Sequence, residues 1–282
     1  MTWWLKIDDL QLLRKIPVNI KPDRIAIVLS PKTLRQFKRR IVSGPAGRGL
    51  IWSLPPVILE GELQFYHDAV AWLAGVGFGD WQISHISQLQ IFRMVSQEFT
   101  VRRHQRSNKD GGKKHRKIDK FKQFYLVGHY SLNIMNKFAL QLMNILGVRL
   151  PQISIEADRE MVANLGGLKK DYPVGMTVYG YPPLFTSRAT PQFFKYDQRL
   201  VSPKGEKLIL RQNGDMTLAL PDRPFSLLPM LTELKAFGID YAVVDLSGTR
   251  IGQKELGRLW RQLTGSHRPV MLSSFNYRGK LF

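Results

Sequence analysis

The feature that most constrains this chain is a repeated alternation of short β-rich runs with longer helical ones. Residues 3–7 read as a strand followed by a helical stretch over 8–15, and residues 24–30 as a second strand. Pro31 then opens a basic helix running to about residue 42, because proline suits a first helical turn. A third strand over 50–54 stops at Pro55-Pro56, and residues 60–76 form an amphipathic helix with Leu63, Ala69, Ala71, Leu73 and Val76 on its apolar positions. Strands over 81–86, 123–129 and 152–155 are followed by helices over 87–99, about 133–146 (closed by Gly147) and one that Asp158 caps. A seventh strand spans 175–179. After an insertion come a helix over 226–237 ending at Gly238, a strand over 241–246 and a helix over 253–263.

Eight strands, each followed by a helix, in 282 residues is the count of a TIM-like (β/α)8 barrel, read as a single α/β domain over 1–282. Runs of Val, Ile and aromatics with little alternation agree with a parallel sheet buried on both faces. A doubly wound open sheet shares this local pattern. The lack of a Gly-rich turn after the first strand counts against its dinucleotide-binding version.

Two segments break the rhythm. A basic flexible insertion is expected over 101–122, before the fifth strand. Its residues 102–122 hold ten Lys or Arg against two Asp, a charge of +8. A β-hairpin insertion is expected over 186–224, after the seventh strand, where 207–210 and 217–220 flank the turn pair Asn213-Gly214. The whole chain carries 42 Lys+Arg against 22 Asp+Glu, a net +20 with a pI near 10.3, which favours polyanions such as RNA, DNA or an anionic membrane surface. Arg102, Arg103, Arg106, Lys113, Lys114, Arg116 and Lys117 are the nucleic-acid-binding candidates. Phe121, Phe124 and Tyr125 flank them, and such contacts would be salt-dependent and sequence-blind. The plainer reading is a solvated charge run.

In a barrel, reactive groups stand at the C-terminal ends of strands. Asp8, Ser30, His85, His129, Asn133, Glu156, Tyr179, Tyr181, Arg188 and Asp245 occupy such positions. His85, His129 and Glu156 form the candidate catalytic set, as acid–base groups or metal ligands, and no metal is expected. The alternative for each histidine is a hydrogen-bonded wall residue. Asn133, Tyr179, Tyr181, Ser187 and Arg188 are the candidate substrate-binding residues, Arg188 because a guanidinium can clamp a carboxylate or phosphate. Asn136 reads as a helix cap. HExxH, GxSxG and P-loop spacings are absent. The chain has no cysteine, which excludes disulfides, thiol nucleophiles and a cysteine-ligated iron–sulfur cluster; no cofactor is expected.

Residues 124–136, Phe-Tyr-Leu-Val-Gly-His-Tyr-Ser-Leu-Asn-Ile-Met-Asn, resemble the G-x-x-x-L-N-x-x-N stretch of the collagenase-like peptidases of family U32. Residues 153–156 are similar to that family's strand ending in an acidic residue, and 178–188 to its G-x-x-P-L-x-x-S-R signature. The resemblance covers about residues 120–190 and is weaker elsewhere. It implies a barrel and a peptidase of unassigned mechanism, with Asn133, Glu156, Tyr179, Gly180, Pro183, Ser187 and Arg188 as pocket or scaffold positions. Hydroxylating members of the family, which act on RNA bases or quinone precursors, hold an iron–sulfur cluster through cysteines. One of those cysteines would fall at Ala189.

Three functions therefore stand: a U32-type peptidase; an RNA-binding or accessory subunit in tRNA or rRNA base modification without its own cluster; and a non-catalytic binding barrel. The partners expected are RNA, a protein or peptide substrate, or a partner protein supplying redox chemistry. No apolar run is long enough to span a bilayer, and the start lacks a signal-peptide pattern, so a soluble cytoplasmic protein is expected.

Overall fold

The computed structural model describes residues 1–17, 20–39, 49–109, 124–168, 172–203, 205, 207–248, 251–263, 265 and 272–279, with backbone only over 101–109. Strand β1 (Thr2–Ile7) leads through a 3-10 turn at Leu10–Lys15 to β2 (Arg24–Val28) and α1 (Pro31–Lys38). Ser30 caps α1 by accepting from Thr33 N, with Pro31 in the first turn. Next come β3 (Leu50–Ser53), α2 (Leu63–Gly75), β4 (Asp80–Ile83) and α3 (Leu89–Lys109). They are followed by β5 (Tyr125–Gly128), α4 (Lys137–Ile145), β6 (Val148–Leu150), β7 (Gln152–Ile153) and α5 (Arg159–Gly166). Asn136 and Asp158 cap α4 and α5.

Strand β8 (Gly175–Gly180) precedes the inserted strands β9 (Phe185–Ser187), β10 (Arg199–Val201), β11 (Lys207–Asn213) and β12 (Met216–Pro221). These form a separate four-stranded antiparallel sheet in the order β10-β11-β12-β9, and Gly214 turns its central hairpin at φ +59°. The chain returns through β13 (Phe225–Ser226), α6 (Leu231–Ala236), β14 (Tyr241–Asp245) and α7 (Gln253–Leu263).

The main sheet corrects the expectation of a closed TIM-like barrel. Its continuous path, β13-β8-β14-β1-β2-β3-β4-β5-β6, is a curled, open half-barrel of nine strands that sweeps 221° and leaves its edges 21 Å apart. The reason lies at the sixth β-run. Pro151 splits it into β6, which pairs with β5, and β7, which pairs with β8 only at Gly175 and Met176. Further along β8, the antiparallel β13 takes the edge at Tyr179 and Gly180 that a closing parallel strand would use. Proline has no N–H to give a ladder, so the seam coincides with the residue least able to carry one.

Other elements also shift. Helix α3 runs ten residues past the expected stop at 99, so Arg102, Arg103 and Arg106 stand on helical backbone. The expected helix over 226–237 shortens, because Phe225 and Ser226 are drawn into the sheet as β13.

Apolar side chains divide between two cores. The larger lies between the sheet and its helices, and Trp52, Trp81, Phe92, Val95, Leu140 and Leu259 belong to it. The smaller contains Trp4, Ala26, Ile51, Val127, Leu150, Tyr241 and Val243, taken from alternate positions of their strands, so it fills the concave side. Here Trp4 stacks on Tyr241 with ring centroids 4.0 Å apart, and Tyr241 Oη donates to Leu150 O at 2.8 Å.

Candidate functional site

Two residues beyond the inner apolar layer the same face turns polar on most strands, β2 with Val28 after Ala26 being the exception. After Trp4 comes Lys6, after Ile51 Ser53, after Val127 His129, after Leu150 Gln152, and after Val243 Asp245; Gln82 and Ser84 continue the pattern on β4 and its exit. All are buried. The period of two places these side chains on one face toward the C-terminal end of the strands. They pair with one another: Ser53 Oγ donates to Gln82 Oε1 at 2.8 Å, and Thr177 Oγ1 to Gln152 Oε1 at 2.9 Å.

The ionisable members are Lys6, Asp245 and His129. Lys6 and Asp245 are direct partners in the β1–β14 register, and Lys6 Nζ lies 3.4 Å from Asp245 Oδ2. His129 Nε2 lies 3.7 Å from the same oxygen, too far for a hydrogen bond but well within Coulomb range. Asp245 Oδ1 accepts from Ser247 N at 2.9 Å and from its hydroxyl at 2.5 Å. The neighbouring Gly248 N donates to Asp8 Oδ2 at 2.9 Å, and Arg211 of β11 donates to Gly248 O, so the inserted sheet is tied to the loop beside the cluster.

Hydrogen bonds gather around one nitrogen of His129. Ser131 N donates to His129 Nδ1 at 3.4 Å, and Ser131 Oγ, which donates to Ser84 O at 2.7 Å, lies 2.8 Å from the same nitrogen. The other ring nitrogen, Nε2, is buried without a hydrogen-bond partner among the described residues, as is Gln152 Nε2 in the same polar layer. Burial, with the Lys6 charge in support, lowers the His129 pKa to about 4, and Asp245 only partly opposes this. Burial also lowers the pKa of Lys6, again against the pull of Asp245. For Asp245 burial works toward neutrality, but Lys6, His129 and Ser247 outweigh it and hold the carboxyl well below the usual range. Asp8 is raised by burial against the Gly248 N–H and Lys32. At neutral pH the centre is thus a neutral imidazole facing an ionised carboxylate.

Of the candidate catalytic set, His129 alone lies in this buried layer. His85 caps the 3-10 turn at Ile86–Gln88 and is exposed, with Nδ1 2.7 Å from Ser87 Oγ in the same His-x-Ser arrangement. Glu156 is exposed, and its backbone oxygen accepts from Asn276 Nδ2 at 3.0 Å. No hydrogen bond or ion pair joins the three among the described residues. Tyr179 and Tyr181 are brought together: both hydroxyls donate to Glu255 Oε1 of α7, Tyr179 at 3.1 Å. Asn133 is exposed in the left-handed conformation (φ 55°) at the end of a 3-10 turn. Ser187 Oγ accepts from Ala189 N at 3.1 Å, and Arg188 is exposed.

The side chains of Arg102, Arg103 and Arg106, and residues Lys113, Lys114, Arg116 and Lys117 altogether, lie outside the described residues. The RNA-binding expectation finds no support in the described structure. The residue that sequence reasoning missed is Lys6, whose signal was a lone charge in an apolar strand, two positions after Trp4.

The chain has no cysteine to ligate a cluster, and no group of three or more His, Cys, Asp or Glu among the described residues could hold a metal ion. No described helix is long and apolar enough to cross a membrane. Among solved structures the chain is similar to one described as a U32 peptidase, at 10% sequence identity and a TM-score of 0.43, over 89% of this chain and 95% of that one. No family model matches the sequence, and no curated protein does.

Proposed function

We propose that the chain is a peptidase of the U32 type whose reaction is run from the Lys6–Asp245–His129 cluster. The observation that carries the reading is His129 Nε2: a buried nitrogen without a hydrogen-bond partner among the described residues, set 3.7 Å from a carboxylate that a buried lysine holds ionised. Burying three ionisable groups together costs desolvation that apolar residues would avoid, and such clusters are characteristic of functional sites. The motif resemblance over 120–190 supplies the reaction class, and His129 falls inside its first stretch.

In this reading Nε2 takes a proton from a water as that water adds to the peptide carbonyl, then returns the proton to the departing amine. Asp245 stabilises the imidazolium formed between the two transfers. Lys6 keeps Asp245 charged and lends positive potential to the developing oxyanion. Exposed at the strand ends beside this layer, His85 and Glu156 are proposed to contact the peptide, along with Asn133, Tyr179, Tyr181, Ser187 and Arg188.

Hydrolysis of casein and of a fluorogenic peptide library by the wild-type chain and by His129→Gln tests this. Loss of about 100-fold or more in kcat is expected for the variant, the scale of a general base. The wild-type kcat/KM should fall in acid, with a limb near the His129 pKa of about 4. Absence of peptide turnover by the wild type, or turnover indifferent to His129→Gln, overturns the reading.

A further inference from the structure

Helix α4 has two apolar faces. Leu140 and Met143 are buried, as an amphipathic helix covering a sheet requires. On the opposite side Phe138 is 70% exposed, Leu142 47% and Ile145 79%. These three stand at i, i+4 and i+7, so they form one continuous stripe along the helix. Exposed apolar residues scattered singly, such as Leu63, Val76 and Met94 elsewhere in this chain, are ordinary. A full stripe on a capped helix is not, because it leaves apolar area in water with no gain for the isolated fold.

Along the chain, the charge flanking the stripe is one-sided. No Asp or Glu occurs between Asp119 and Glu156, while Lys137 stands at the start of α4 and exposed Arg149 lies just beyond its end. Lys137 Nζ sits 5.1 Å from the centre of the Phe138 ring. A second copy of the chain would bring another +20 against this surface. An acidic segment would meet complementary charge at both ends of the stripe.

We propose that α4 is a docking face for an acidic amphipathic helix of a partner protein. The partner's apolar residues pack on Phe138, Leu142 and Ile145, and its carboxylates face Lys137 and Arg149. Helix-on-helix recognition with anchors at this spacing is a recurring mode of partner binding. The face does not involve the Lys6–Asp245–His129 cluster, so the two proposals stand or fall separately.

The test uses the full chain and a labelled synthetic helix with leucines at i, i+4 and i+7 and glutamates elsewhere, read by fluorescence anisotropy at physiological salt. Phe138→Ser/Ile145→Ser alters only exposed positions and leaves the fold intact. It should weaken binding by about tenfold or more, as removal of two apolar anchors does. A peptide with lysine in place of glutamate should not bind. Equal affinity for wild type and variant, or no binding to either, overturns the proposal. So does self-association of the wild type that the variant abolishes in sedimentation, or anionic vesicles that bind in its place through these residues.

Discussion

His129 is kept neutral inside the sheet to about pH 4, whereas an unfolded histidine titrates near pH 6.5. Between these values the unfolded chain takes up a proton that the folded chain refuses, so stability rises with pH across that window and falls as pH drops through it. The shift corresponds to about 3 kcal/mol lost between neutral pH and pH 4. The depressed Asp245 adds a loss in the same direction, but only below the ordinary carboxylate range. Urea unfolding of wild type and His129→Gln at several pH values should show the variant with a flatter profile between pH 6.5 and 4. An NMR titration of the imidazole with a midpoint near 6.5 would contradict the buried, neutral assignment. Lys6 makes a second prediction at this scale. Lys6→Met leaves Asp245 buried without its cation and should cost about 3–5 kcal/mol, whereas Lys6→Met/Asp245→Leu should cost clearly less than the two single changes summed. Strict additivity in that cycle would mean that the pair does not interact.

Elements show why part of this molecule was legible in its sequence and part was not. Caps and turns are local, so Ser30 and Pro31 at α1, Asn136 at α4, Asp158 at α5 and the Asn213-Gly214 hairpin could be read directly from residue types. Sheet closure is not local. Pro151 was visible, but its effect depends on whether β8 meets β7 or β13, and nothing in residues 175–180 announces that choice. The site was half legible for the same reason: His129 and Asp245 stand at strand ends, where a barrel is searched, whereas Lys6 matters only because the register sets it opposite Asp245. Gly175 shows how tightly such registers are held. A Cβ there would lie 2.2 Å from the Tyr241 ring, which is stacked on Trp4 and hydrogen-bonded to Leu150 and so has nowhere to retreat. Gly175→Ala should destabilise the protein by about 1–3 kcal/mol, as overpacking does. An unchanged denaturation midpoint would show that the inner aromatic layer can yield.

At the scale of the whole molecule, the open sheet predicts how stability is distributed. In a closed barrel every strand has two neighbours and the ladder has no edge from which to fray. Here β14, β1 and β2 sit in mid-sheet, each bonded on both sides along most of its length. At the ends, β6 and β7 offer five residues broken by Pro151, and β13 only two. Local opening follows such differences in bonding and burial, so native-state amide exchange should be slowest over residues 3–7, 25–28 and 241–245 and markedly faster over 148–153 and 225–226. The polar layer stands between these regimes: Lys6 and Asp245 come from the protected centre, while Gln152, bonded to Thr177 of β8, comes from the seam. Opening at the seam would therefore admit water to the layer without disturbing the Lys6–Asp245 pair. Equal protection at the seam and in mid-sheet would show instead that the split run closes the ladder cooperatively, and that water must reach His129 from the strand ends alone.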